Sequence, residues 1–161
     1  MYTIKPRKEN WKNEYILANH KWYSINRPAV YQSGFWFEPT LPDIRKANKL
    51  QIAIVNFITW NGYRATRISS TGRLIDVGEK QPSGISLTVK KYIPGQTRRG
   101  TADVSATIKG RSVMLEVKVG RDKPSDYQLR EQAIEQAAGG IYEFIHDMDE
   151  FLELYYSIIN N

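Results

Sequence analysis

Arg99-Gly100-Thr101-Ala102-Asp103-Val104-Ser105-Ala106-Thr107-Ile108-Lys109-Gly110-Arg111-Ser112-Val113-Met114-Leu115-Glu116-Val117-Lys118 is the stretch on which the fold of this chain turns. Two runs rich in β-branched and apolar residues flank Lys109-Gly110, and neither contains Pro or an internal Gly. Lys109-Gly110 suits a tight hairpin turn, because Gly accepts positive φ. With those two residues as the loop, Ile108 faces Arg111, and five steps further Asp103 faces Glu116. Opposed residues share a sheet face, with Cβ atoms roughly 5 Å apart. Lys118 stands two residues beyond Glu116 and shares that face. A loop one residue longer would break this register.

Two carboxylates held so close repel each other. A hard divalent cation relieves the repulsion, and Mg²⁺ or Mn²⁺ takes carboxylate, water and phosphate oxygens as ligands. Asp103 and Glu116 are therefore candidate metal ligands, with the backbone carbonyl of Val117 as a third protein oxygen. Lys118, expected on the rim of the site, could orient or deprotonate a water or stabilise charge developing on phosphorus. The inventory fits metal-assisted phosphodiester hydrolysis. The plainer reading of the same three residues is a solvated strand face with cross-strand ion pairs.

The flanking residues extend the pattern. Gly100-x-x-Asp103, Glu116-x-Lys118, Ser125-x-x-Gln128 opening a helix, and Ala138-Gly139-Gly140-Ile141-Tyr142 together resemble the PD-(D/E)xK nuclease superfamily. The likeness is greatest to its VRR-NUC branch of small phage and mobile-element nucleases, and it covers about Leu50 to the C-terminus. It implies a restriction-endonuclease-like core and a metal-dependent DNA endonuclease. Asp103 and Glu116 would bind metal, Lys118 would be the catalytic lysine, and Gln128 a polar helper. Two departures stand out. Ala102 occupies the place of the Pro in the superfamily's name, and the helix around Asn48 to Asn61 has no acid where many members carry Glu. Asn48 or Gln51 lies near that place. The missing carboxylate leaves an alternative, a catalytically impaired nucleic-acid-binding protein of the same fold.

At 161 residues one domain is expected, and 41% apolar residues suffice for a core. There is no Cys, so disulfides, thiolate zinc sites and Cys nucleophiles are excluded. The two His, His20 and His146, are far apart in sequence, which argues against a His-rich metal site. No apolar run approaches the ~18–20 residues that span a bilayer, and the charged N-terminus lacks the apolar stretch of a signal peptide. A cytoplasmic location, in a bacterium or a phage-infected host cell, is expected. Charge is uneven: residues 1–100 hold 17 Lys and Arg against 6 Asp and Glu, and residues 101–161 hold 6 against 11. One basic surface and a polyanion partner are the usual cause of such asymmetry; ordinary solvated charge is the alternative.

Residues 1–42 read as an N-terminal aromatic and basic extension, with a short helix over Glu9 to Ile16 and a strand or loop over Ser33 to Pro39 that packs on the core. Such aromatics can stack on bases, but they more often cover hydrophobic surface. Residues 43–161 read as the nuclease-like domain. Asp43 is the expected N-cap of a helix reaching Asn61, with Leu50, Ile54, Phe57, Ile58 and Asn61 on one face. Strands follow over Tyr63–Ser69, Arg73–Val77 and Ile85–Ile93, with a polar loop over Gly78–Ser83. Arg98 and Arg99 lie in a Gly-containing loop beside the site and are the first candidates for DNA phosphate contacts; Lys90, Lys91 and Arg67 are further candidates.

Ser125 is the expected N-cap of a helix to about Ala138 that partly buries Tyr127, Leu129, Ala133 and Ala137. Gly139-Gly140 ends it. Ile141–His146 reads as a strand parallel to that of Glu116 through a right-handed crossover. Asp147 caps a last helix, Met148 to Ile159, with Phe151, Leu152, Leu154, Tyr155 and Ile158 facing inward.

The expected fold is α/β: a central mixed sheet flanked by helices, α-β-β-β-β-β-α-β-α, behind the N-terminal segment. Small size without a separate sequence-reading module favours recognition of branches, flaps or ends. Relatives in the superfamily that cut four-way junctions act as symmetric dimers, so a resolvase-like homodimer is one expected arrangement.

Overall fold

A computed structural model of the chain describes residues 11–68, 73–80, 86–93 and 98–161. Its elements are α1 (Trp11–Asn26), α2 (Pro28–Gln32), α3 (Ala47–Trp60), β1 (Arg64–Arg67), β2 (Arg73–Lys80), β3 (Ser86–Ile93), β4 (Val104–Ile108), β5 (Arg111–Val117), α4 (Asp126–Ala137), β6 (Ile141–Ile145) and α5 (Met148–Asn160).

The hairpin takes the register that a two-residue loop dictates. Ile108 pairs with Arg111 and Val104 with Leu115, antiparallel throughout. Lys109 and Gly110 have φ of 50° and 77°, the two positive angles of a type I′ turn, whose twist matches that of the strands. β4 and β5 form the middle of a four-stranded mixed sheet, in the order β1-β4-β5-β6. β1 runs antiparallel to β4. β6 runs parallel to β5, with Glu116 beside Phe144 and α4 as the connection.

Strand alternation sorts the two faces of this sheet. Val104, Ala106, Ile108, Val113, Leu115 and Val117 are buried in one core with α1, α3 and α5. Ser112, Met114, Glu116 and Lys118 alternate with the buried residues of β5 and so belong to the opposite face, where Ser112 and Glu116 hydrogen-bond to α4. From α3 the expected Leu50, Ile54, Phe57 and Ile58 are buried and Ala53 joins them, whereas Asn61, also expected on that face, is the half-buried C-cap. Gly62, with φ of 85°, follows the Asn61 C-cap, the usual left-handed stop. From α5, Met148, Phe151, Leu152, Tyr155 and Ile158 complete the core, and Phe57 meets Phe151 and Tyr155 edge to face.

Several expectations are corrected. β2 and β3 pair with each other in a separate two-stranded sheet, so the central sheet has four strands, not all six. β2 continues to Lys80, so Gly78 to Lys80 are strand and not loop. The rest of that polar loop, and Ser69 and Ile85 at the ends of two expected strands, lie outside the described residues.

Asp43 does not cap α3. The N-cap is Lys46, without a side-chain bond, and Asp43 instead pairs with Arg45 at 2.7 Å. α1 runs ten residues past Ile16, to Asn26. Glu9 lies outside the described residues. Trp11, Tyr15 and Ala18 place α1 in the common core, and Tyr15 meets Trp60 at 4.8 Å. Residues 35–39 have no regular structure. Trp36 is anchored to Asn19, but Phe35 and Phe37 are 72% and 79% exposed, so this stretch does not bury its aromatics as expected.

α4 buries none of its residues. Tyr127, Leu129, Ala133 and Ala137, expected to be partly buried, are exposed, because the helix is held by polar contacts. The final helix is capped by Asp147, as expected.

Candidate active site

Asp103 sits one residue before β4. Its carbonyl accepts the Ile68 amide at 2.7 Å, and its Oδ2 accepts the Val117 amide at 3.1 Å. These bonds hold the Asp103 carboxylate beside β5, on the side of Glu116. Both acids line one cavity of about 330 Å³, with Arg98, Arg99, Gly100, Thr101, Ser125, Tyr127 and Gln128.

Glu116 is buried, at 5% exposure. Two groups converge on its Oε1: the Lys118 ammonium at 3.2 Å and the Gln128 side-chain amide. Its Oε2 is buried with no hydrogen-bond partner among the described residues. Burial, then the nearby negative charge of Asp103, push the Glu116 carboxyl up to about 7, against the opposing pull of Lys118 and of the Asp103 backbone amide. A buried carboxylate oxygen left without a donor, next to a second acid, is a donor set suited to a hard cation. Asp103 and Glu116 are the side chains that would hold it. Among the described residues, no group of three or more His, Cys, Asp or Glu gathers around one point.

Lys118 shares the Glu116 face but does not sit on the rim. It is 5% exposed, is not among the residues lining the cavity, and reaches the site through Glu116. Its Nζ also contacts Asp122 Oδ2 at 3.3 Å. Asp122 escaped the sequence reading; its spacing of four from Lys118 was the available signal, but it falls in a loop, where spacing does not imply contact.

Gln128 reaches Glu116 because α4 begins one turn earlier with a reciprocal cap. Ser125 Oγ accepts the Gln128 amide, and Gln128 Oε1 accepts the Ser125 amide at 2.9 Å. Gln128 therefore spends its oxygen on the helix start and its nitrogen on Glu116. Gln132 and Gln136, on the same side of α4, donate to the Tyr142 carbonyl of β6 at 3.0 and 3.5 Å.

The Arg98–Gly100 loop is fixed against α4 and β6. Arg98 pairs with Glu131 at 2.7 Å. Arg99 lies over the Tyr127 ring at 5.5 Å and donates to its hydroxyl at 3.4 Å. Gly100 has φ of 86°, and a Cβ there would come within 2.5 Å of the Tyr127 carbonyl, so only glycine lets the loop approach. Tyr142, fully buried on β6, donates its hydroxyl to the Gly100 carbonyl at 3.0 Å. Burial, then the Glu116, Asp103 and Glu131 charges, raise the Tyr142 phenol above its usual range. Tyr127, Glu131 and Tyr142 were not singled out from sequence as parts of the site.

The other basic candidates are not gathered here. Arg67 donates to Gln51 Oε1 at 3.1 and 2.8 Å and does not line the cavity. The first core helix thus has an amide, already bonded, where an acid was sought; Asn48 is exposed on the same helix. Lys90 and Lys91 are exposed on β3, in the separate sheet.

No protein-family model matches the chain, and no curated protein sequence matches it. No helix among the described residues is long and apolar enough to cross a membrane.

Proposed function

We propose that the chain is a metal-dependent DNA endonuclease of PD-(D/E)xK type, close to the VRR-NUC branch, and that it selects branched, flap or end-containing DNA. One observation carries the reading: Asp103 and Glu116 face one cavity, Lys118 and Gln128 both hold Glu116 Oε1, and Oε2 is left buried without a partner among the described residues.

Asp103 and Glu116 would hold Mg²⁺ or Mn²⁺, with the Val117 carbonyl as a further oxygen. A bound divalent ion would polarise the phosphoryl oxygen and lower the pKa of an attacking water. The protein's own groups have separable tasks. Gln128 and Lys118 orient the Glu116 carboxylate by binding one of its oxygens. Lys118 brings a positive charge that counters negative charge developing at phosphorus, and Asp122 holds its Nζ from the other side. Arg98 and Arg99 supply the cations for the adjacent phosphates.

The test is cleavage of labelled single strand, duplex, flap and four-way junction with Mg²⁺, Mn²⁺ or EDTA, by the wild type and by Lys118→Ala. Metal-dependent cutting that is lost in Lys118→Ala is expected. Metal-independent binding with no cutting on any substrate would overturn the reading. It would favour the second one, a nucleic-acid-binding relative without turnover. That second reading rests on the Gln51–Arg67 bond on a first core helix that lacks an acid.

A further inference from the structure

The cavity lining is mostly polar and charged, yet it includes one large ring. Tyr127 is 48% exposed and stands among Arg98, Arg99, Asp103, Glu116 and Gln128. It contributes nothing to the core, since α4 has no buried residue. Its ring is nevertheless kept in place. The Arg99 guanidinium lies over it, and the Gly100 loop packs on the Tyr127 backbone. An aromatic ring held in position, half open to solvent, beside guanidinium groups is the arrangement that stacks nucleobases while cations take the backbone. Phe35 and Phe37 are more exposed but line no described cavity, so exposure alone does not single out Tyr127.

The ring selects by what it can stack on: a paired base inside a continuous duplex has both faces covered by its neighbours and cannot present one to Tyr127 without leaving the stack. We infer that Tyr127, steadied by Arg99, is a base-stacking platform, and that the site takes a nucleotide whose base is unpaired next to the phosphodiester held by Asp103 and Glu116. This rests on the phosphodiesterase reading for the position of the phosphate. It narrows the substrate to single-stranded segments or the unpaired nucleotides at flaps and branches, and it makes Tyr127 the residue that discriminates them from continuous duplex.

The experiment uses oligothymidylate carrying one 2-aminopurine, as single strand and within a duplex, titrated with the full chain in EDTA so that binding is read without cutting. Stacking on Tyr127 quenches the fluorophore. The wild type is expected to quench the single strand and bind it at least tenfold tighter than Tyr127→Ala does, within the range one stacked base supplies (roughly 5- to 150-fold). Tyr127→Phe and Tyr127→Trp, which keep a ring, should retain quenching and affinity, and the loss in Tyr127→Ala should be larger for the single strand than for the duplex. Equal single-strand affinity and quenching in Tyr127→Ala would overturn the proposal, as would loss in Tyr127→Phe as great as in Tyr127→Ala. The cleavage panel fails separately: a chain that never cuts but shows the Tyr127-dependent quench keeps the platform and loses the nuclease, and a chain that cuts duplex with no Tyr127 effect does the reverse.

Discussion

The amide of Val117 donates to Oδ2 of Asp103 at 3.1 Å, across the end of the β4–β5 ladder. Pairing stops at Val104 and Leu115, so Asp103 is tied to β5 by its side chain and not by the sheet. An acid used this way is both a structural acceptor and a candidate metal ligand, and an amide can replace it in the first role only. Asp103→Asn should keep the fold, with a melting temperature no lower than that of the wild type. Mn²⁺ affinity, measured by calorimetry, should fall by at least the ~10–100-fold that supporting partners of metal ligands cost. Unchanged Mn²⁺ binding would remove Asp103 from the ligand set.

Glu116 gives a pH dependence of definite sign. Its carboxyl lies at about 7 in the folded chain and near 4.5 when unfolded. Between those values the folded state keeps a proton that the unfolded state has lost, so the stability this group contributes is full below 4.5 and declines as pH rises to 7. In EDTA, the melting temperature of the wild type should therefore fall over that window relative to Glu116→Gln. Mg²⁺ at pH 7.5 should restore it in the wild type alone, because a cation favours the ionised form. Parallel pH profiles for the two proteins in EDTA would show that Glu116 is not held protonated.

Gln128 serves two elements, and two substitutions separate them. Ser125→Ala removes the cap and should cost ~1 kcal/mol in chemical denaturation, with metal affinity near that of the wild type. Gln128→Ala should cost a similar amount of stability and also weaken metal binding ~10–100-fold, since Glu116 Oε1 loses its amide donor. Equal metal affinity in both variants would make Gln128 a capping residue only.

The N-terminal helix is predicted to be inseparable from the core. Tyr15 is 3% exposed, accepts Asn56 at its hydroxyl and meets the Trp60 ring. Tyr15→Ala should cost ~3–5 kcal/mol, whereas Phe35→Ala, at a site 72% exposed, should stay within ~0.5 kcal/mol. Urea denaturation of the two variants distinguishes them, and a small loss at Tyr15 would make α1 an appendage.

What could be read from sequence were features governed by near neighbours. Lys109-Gly110 sets a register that places Asp103 and Glu116 on one face, and no distant contact is needed to deduce it. Ser125 and Asp147 announce their helices because a cap involves residues only three apart. Asp43 announced one too, but Arg45, two residues on, offered its carboxylate a stronger partner. The separation of β2 and β3 from the main sheet was not legible, since five consecutive strand-like runs say nothing of which ones pair at long range. Likewise, the alternation of small and apolar residues in α4 resembled a buried stripe. Its actual anchors are glutamines whose bonds to Glu116 and the Tyr142 carbonyl cross the sheet face.

The glutamine bonds to Tyr142 bear on how chains of this protein meet one another. β6 is a border strand, and a border strand invites another chain to add to it. The Tyr142 carbonyl, which an incoming strand would need as an acceptor, already receives Gln132 and Gln136. The opposite border, β1, is four residues long and carries Arg64 and Arg67 at its two ends. Each margin of the central sheet thereby carries a feature that discourages a further strand from adding to it.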